Sequence, residues 1–377
     1  MTFDEAFILN TVGLPGLTDI ARQAAGVANL TLGTWGIKQI AGGLGNPVSV
    51  GLFRVEGVGR AGSEQRPWSA ILKIIQSPAN VGQTNLGEGD DPTHWNYWRR
   101  EVLVYQSSLL PTLPTGLIAP RFFGMNELPG EMACLWLEEV IDDYQDVWPP
   151  ERYALTARHL GRLNGQYAGE QPPAAFPWLG RGRLRQWRDL FPVWQIIPWQ
   201  HPQVSARYPE AETVNMRRLL RDSEAFLLRL EPLPHTLCHG DTYPTNFKSR
   251  RAAGGEQTVA LDWALAHFGP VGYDLGGLVL GAYLNIADSN LAEVDRELFA
   301  AYMAGLRDSG YAGDPLTVRF AYAASAVLII ALSELAMLHF VLTGVMTDPR
   351  EATAPTQRPN FEGALADIAY ELLDSIR

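Results

Sequence analysis

Between residues 35 and 140 the chain alternates short apolar and polar runs with frequent turns. VSVGLFRVEGV (48–58) and WSAILKII (68–75) combine β-branched residues with period-two alternation, which predicts antiparallel strands. GGLGN (42–46) joins two such strands, and EMACLWLEEV (131–140) predicts another. One helix is expected among them. In HWNYWRREVLVYQSSLL (94–110), Trp98, Val102, Tyr105 and Leu109 recur at the spacing of one helical face. QSPANVGQTNLGEGDDPTH (76–94), dense in Gly, Asn, Asp and Pro, predicts a long loop before it.

Near Val140 the pattern changes to long helices. ERYALTARHLGRLNGQY, VNMRRLLRDSEAFLLRL and most of the chain beyond Leu275 carry it. Residues 172–202 are rich in Trp, Arg and Pro with no clean period, so a substrate-facing insertion and an irregular helical hairpin both fit. Residues 347–360 read as a polar connector before a short final helix. The most hydrophobic stretch (321–346) contains Glu334 and His339, both costly at mid-bilayer, so a helix buried in the larger lobe is expected rather than a membrane span.

A length of 377 residues exceeds what one core usually serves, which favours two lobes. The formal net charge of −11 gives a polyanion no electrostatic reason to bind, so nucleic acid is not an expected partner. Cys134 and Cys238 lie in apolar contexts and read as buried thiols, not a disulfide framework. The first residues lack a basic stretch followed by an apolar run, and a cytoplasmic location is expected.

Candidate chemistry centres on HGDTYPTN, where Asp241 follows His239 by two residues and Asn246 follows Asp241 by five. Protein kinases use this spacing so that the Asp can take a hydroxyl proton while the Asn reaches a metal ion on the nucleotide phosphates. Asp, Pro, Thr and Asn are also what an ordinary turn contains, so the string alone leaves both readings open. Asp262 ends an apolar strand in TVALDW, a place suited to a second metal ligand or to starting a turn. Lys73 shares a strand face with Ile71 and Ile75, where an ammonium needs a partner or must snorkel. Glu101 falls about 60° from Trp98 on its helix and can supply that partner. Asp274, directly before LGGLVLGAYL, is expected to cap a helix.

Together these residues resemble the aminoglycoside phosphotransferase and choline kinase-like family, small-molecule relatives of the protein kinases. The parts come in family order from about residue 35 to 283: IAGGLGNPVSVGLFRV, AILKII, REVLVYQ, LWLEEV, LGRLNGQY, CHGDTYPTNF and LDWALAHFGPVGYDLGGL. The resemblance implies an α+β, bilobal protein kinase-like fold with an antiparallel-sheet N-lobe (1–137), a hinge (138–141) and a mainly helical C-lobe (142–377). It implies that Asp241 is the catalytic base or hydroxyl-orienting residue, that Asn246 and Asp262 are Mg²⁺ ligands, and that Glu101 holds Lys73 toward the phosphates. By the same resemblance Gly42, Gly43, Gly45 and Asn46 cover the phosphates, and backbone around Glu138, Glu139 and Val140 receives the base of ATP or GTP. His239 would brace the loop. The acceptor would be a small-molecule hydroxyl, with protein substrates disfavoured because no segment resembles an activation loop.

Two other readings compete. His235, His239, Asp241 and Cys238 can be drawn as the zinc cluster of a hydrolase, although that leaves Lys73, Glu101, Asn246 and Asp262 without a role. A kinase-like module that binds nucleotide without catalysis is the second, and the presence of every expected catalytic residue type stands against it.

Overall fold

The computed structural model describes residues 2–42, 46, 48–81, 91–145, 147–169, 171–345 and 360–376. Gly43 and Gly45, the centre of the long loop at 82–90, and nearly all of the 347–360 connector lie outside the described residues.

The chain opens with helix α1 (Glu5–Ala25), followed by strands β1 (Thr31–Ile40), β2 (Ser49–Ala61) and β3 (Glu64–Gln76). Helix α2 (Arg100–Gln106), strand β4 (Leu117–Ile118), and strands β5 (Phe122–Leu128) and β6 (Met132–Glu138) complete the first half. Five of these strands form an antiparallel sheet in the order β1-β2-β3-β6-β5. Alternation along β3 divides its side chains between the two faces. Ala70, Leu72 and Ile74 pack with Phe53, Val55 and Trp136 under α1. Ile71 and Ile75 share the opposite face with Trp98, Val102 and Tyr105 of the α2 region. Lys73 is therefore directed to the α2 side.

The sequence pattern did not indicate α1. Its core residues Ile8, Leu17, Ile20 and Ala21 straddle a kink at Gly13, whose φ of 66° and ψ of 170° break the helical period, and Pro15 follows. The expected helix over 94–110 is shorter than its apolar stripe: only Arg100–Gln106 is α-helical, and Trp98 and Leu109 pack from the flanking turns.

The second half is helical around two small three-stranded sheets, one of which includes β4. In chain order it contains α3 (Pro150–Gln166), β7 (Gly180–Arg181), α4 (Arg183–Leu190), α5 (Pro202–Arg207), α6 (Glu210–Arg221) and α7 (Ser223–Leu230). Then come β8 (His235–Cys238), β9 (Phe247–Ala252), β10 (Gly255–Ala260) and β11 (His267–Pro270). It closes with α8 (Leu275–Asn285), α9 (Leu291–Asp308), α10 (Pro315–Ala326), α11 (Leu332–Leu342) and α12 (Phe361–Leu373). The fold class is the expected one, α+β with an antiparallel sheet first and helices after. The run VNMRRLLRDSEAFLLRL is two helices, broken at Asp222 between α6 and α7.

Helices α10 and α11 form one continuous run through a π turn at Val327–Ala331. That run is long and apolar enough to span a membrane by length and composition. Phe320, Leu328, Leu332 and Leu335 are buried in the core of the helical lobe, as expected from the sequence. Two short sheets position the chemistry. β8 pairs antiparallel with β11, and β9 with β10, so the loop after β8 and the turn after β10 lie side by side.

Candidate active site

Cys238 ends β8, and the start of the loop that follows is held by side chains from other elements. The buried Asp274 carboxylate accepts the backbone N–H groups of His239 (2.8 Å) and Gly240 (3.0 Å), and the Asn164 amide (3.0 Å). Asn164 in α3 also donates to Leu237 O at 2.9 Å and accepts Tyr302 Oη at 2.6 Å. Asp274 precedes α8 as expected, but its side chain makes no cap bond. It sits in αR conformation (φ −67°, ψ −6°) and its carboxylate is turned to the neighbouring loop. The helix-capping role is replaced by a loop-bracing one.

Gly240 has φ of +88°, and a Cβ there would lie 2.1 Å from Leu265 O, so only glycine lets the loop before Asp241 touch the turn after Asp262. His239 is buried and hydrogen-bonds Leu261 O through Nε2 at 2.8 Å while its Nδ1 receives Asp241 N–H at 3.3 Å. A carbonyl oxygen can only accept, so Nε2 is the donor of that bond, and the ring braces the two loops. Asn246 ends a 3₁₀ turn (Pro244–Asn246), donates through Nδ2 to Asp241 O at 3.0 Å, and keeps its side-chain oxygen for another partner.

Asp262 follows β10 in left-handed conformation, φ +54°, a costly choice for a non-glycine residue. There it meets Lys73 Nζ at 2.8 Å, and Lys73 also lies 2.6 Å from Glu101 Oε2. Lys73 and Glu101 are 6% and 1% exposed, whereas Asp262 is 34% exposed, so the pair is sealed while the aspartate stays partly open to solvent. Burial would discharge the lysine, but Asp262 and Glu101 outweigh it and hold the ammonium above its ordinary pKa. Burial also raises Glu101, against the pull of Lys73. Burial opposes ionisation of Asp262 too, and Lys73 reverses the balance to lower its pKa.

The Asp241 carboxyl is raised by burial first and by the nearby Asp262 second, with Arg183, His239 and Asn246 pulling the other way. The Asp262 carboxylate and the Asn246 side-chain oxygen are oxygen donors of the kind a hard divalent cation such as Mg²⁺ takes. The residues present fit that ion.

The sequence-predicted residues do not all reach this centre. Asn46 donates through Nδ2 to the buried Asn96 at 2.8 Å and receives Val48 N–H on its side-chain oxygen at 3.1 Å, anchoring its hairpin locally. Gly42 has φ of +125°. Glu138 is occupied: its carboxylate takes Arg250 at 2.9 Å and Arg121 N–H at 3.0 Å, and its own N–H bonds Arg121 O. Glu139 pairs with Arg54 at 2.9 Å.

Sequence reasoning missed Arg183, Asn164 and Tyr302. Arg183 begins α4 inside the unassigned 172–202 region, is buried, and donates through Nη1 to Gly240 O at 2.7 Å and Leu265 O at 3.3 Å. No periodicity marks such a residue. Asn164 had a signal, an amide among the apolar positions of LGRLNGQY, which is where a buried hydrogen-bond hub would show.

The zinc arrangement is not formed. His235 Nδ1 bonds Leu233 O at 2.6 Å while His239 bonds Leu261 O, and the described residues contain no group of three or more His, Cys, Asp or Glu side chains placed to hold a metal. Cys134 and Cys238 are free buried thiols, as expected.

The segment holding Asp241, Asn246 and Asp262 also matches a family model, described as the phosphotransferase enzyme family, over residues 138–313. Those residues belong to the phosphotransferase enzyme family. The recognition read from the sequence is borne out, and the enzyme class is a phosphotransferase. No curated protein matches the chain. Among solved structures, an aminoglycoside phosphotransferase from Alicyclobacillus acidocaldarius is 15% identical, with 93% of this chain and 92% of that one covered and a TM-score of 0.47. A Streptomyces rimosus aminoglycoside phosphotransferase in complex with ADP and streptomycin is 17% identical (84% and 98% covered, TM-score 0.44). A choline kinase from Streptococcus pneumoniae is 12% identical (94% and 98% covered, TM-score 0.42). Likenesses this loose say nothing about the acceptor.

Proposed function

We propose that this phosphotransferase is a small-molecule kinase that moves the γ-phosphoryl group of ATP or GTP to a hydroxyl of its acceptor. The observation that carries the reading is the Glu101–Lys73–Asp262 chain, 2.6 and 2.8 Å, built from three distant segments beside the braced Asp241. Such a buried cation between two carboxylates is costly as a purely structural device. It is apt for gripping phosphates across a cleft.

In this reading Asp241 accepts or orients the acceptor hydroxyl, and its desolvation makes it a better proton acceptor than an exposed aspartate. Lys73 neutralises phosphate charge, and Glu101 keeps its ammonium in place. Asp262 and the Asn246 side-chain oxygen would hold Mg²⁺, which when bound supplies charge neutralisation on the phosphates. Backbone at Glu139 and Val140, with the hairpin around Gly42 and Asn46, would receive the nucleotide. The rest of the catalysis is positioning.

The acceptor class is tested by incubating the protein with Mg²⁺ and either ATP or GTP against aminoglycosides, macrolides, choline-like amines, sugars and homoserine-like metabolites, reading nucleotide consumption and product mass. Phosphorylation of one class, lost in Asp241→Asn, supports the reading. Tight Mg·nucleotide binding with no acceptor phosphorylated would favour a non-catalytic nucleotide-binding module instead.

A further inference from the structure

Arg100 directly precedes Glu101 and is fully buried, yet none of its hydrogen-bond partners is a carboxylate. Its fork is filled by five backbone carbonyls. Nε donates to Trp178 O (3.0 Å), Nη1 to Trp95 O (2.8 Å) and Ala264 O (3.2 Å), and Nη2 to Pro92 O (3.1 Å) and His94 O. A guanidinium has five N–H donors, so every one is used. The carbonyls come from three places: the segment leading into α2, the residues before β7, and the turn two residues after Asp262.

An uncompensated buried charge is expensive, and burial with the neighbouring Arg183 depresses this guanidinium to about 9. An apolar residue would avoid that cost, so the arginine needs another reason to be there. Helix α2 supplies one. It has seven residues and no side-chain N-cap, too little to fix its own position. Its approach segment is fastened to the helical lobe in the same region, through Arg181 N–H to Thr93 O at 2.8 Å and Trp95 N–H to Gln186 Oε1 at 2.8 Å. The Trp95 and Trp187 rings meet edge to face at 4.7 Å.

We propose that Arg100 is a positioning residue that locks the glutamate-bearing helix to the Asp262 turn, so that Lys73 is held between Glu101 and Asp262 before nucleotide arrives. The grip of Lys73 depends on two carboxylates from different lobes keeping a fixed separation, and the Arg100 fork ties the backbone of one to the backbone beside the other. This inference rests on the phosphotransfer reading.

The test uses the full chain with Arg100→Met and Arg100→Lys, each alone and combined with Glu101→Gln. With an acceptor in hand, Arg100→Met should lower kcat by about 10²-fold, the scale expected when a supporting residue lets a reacting group drift by about an ångström. The acceptor KM should stay within about threefold, because only positioning is lost. Arg100→Lys, which keeps the charge but not the fork, should recover part of the loss. In the Glu101→Gln background Arg100→Met should add less than about threefold, since both act through Lys73. Unchanged kcat in folded Arg100→Met, or a full additive loss in the double variant, would overturn the proposal.

Hydrogen exchange gives a readout independent of turnover. Either Arg100 variant should exchange faster at residues 100–106 and 262–266 while α3 and α9 keep wild-type protection, and Arg100→Lys serves if Arg100→Met does not fold. Wild-type exchange at both segments would overturn the proposal. A wild-type protein that phosphorylates nothing would instead count against the phosphotransfer reading, with the exchange result still deciding the lock.

Discussion

Lys73 reaches from the sheet to Asp262 in the helical lobe at 2.8 Å, 189 residues away in sequence. Removing the cation strands Glu101 as a buried carboxylate. Lys73→Met should therefore cost on the order of 3–5 kcal/mol in stability as well as most of the turnover. Adding Glu101→Leu should return much of the stability, measured by chemical denaturation, without returning turnover. Recovery of both would show that Lys73 serves the fold and not the phosphates.

The Asp274 brace makes a different prediction. Asp274→Asn presents an amide N–H where the carboxylate accepts the His239 and Gly240 backbone N–H groups, so at least one buried donor loses its acceptor. A loss of on the order of 2–4 kcal/mol is expected. Turnover should fall with nucleotide affinity little changed, because the displaced loop carries Asp241. A variant as stable as the wild type would show that the loop is held by other contacts.

Asp262 is the pivot between cation and cleft. Asp262→Ala should abolish the divalent-dependent part of nucleotide binding, read by titration calorimetry with and without Mg²⁺. Equal Mg²⁺ enhancement in variant and wild type would remove Asp262 as a metal ligand.

Much of this was legible in the sequence because the relevant residues violate local patterns. Lys73 is a charge on an apolar strand face, and Glu101 lies beside an apolar helical stripe. Asp262 ends a run of buried strand residues. Each anomaly points to a partner, and their order along the chain points to one site. The residues that escaped are of another kind. Arg100 faces away from the stripe of Trp98, Val102 and Tyr105, where a charge normally meets solvent, and it is buried between its own approach segment and the second lobe. Arg183 lies in an aperiodic stretch. Asp274 sits at a helix start, where capping is the default, and its use by the loop is a tertiary choice that local rules do not contain. Helix α1 was hidden by Gly13 and Pro15, which interrupt its period.

Burial and the nearby Asp262 raise the Asp241 pKa, and this fixes the sign of two pH effects. The ionised form must accept the hydroxyl proton, so kcat should fall as pH drops through the raised value, with its acid limb above that of an unperturbed aspartate. The folded state also holds the Asp241 proton more tightly than the unfolded chain. Its contribution to stability is therefore greatest below the unfolded pKa and is lost as pH rises through the folded one. At pH 7 the charge is a burden on the free protein, and Asp241→Asn should raise Tm in the absence of nucleotide and divalent ion. A lowered Tm would contradict the assigned electrostatics.

The most direct test of the phosphotransfer account compares kcat with Mg·nucleotide affinity in Asp241→Asn. Because Asp241 acts on the acceptor hydroxyl, the account predicts that kcat falls by at least about 10²-fold while the nucleotide Kd stays within a few-fold of wild type. Wild-type turnover in the variant would contradict it.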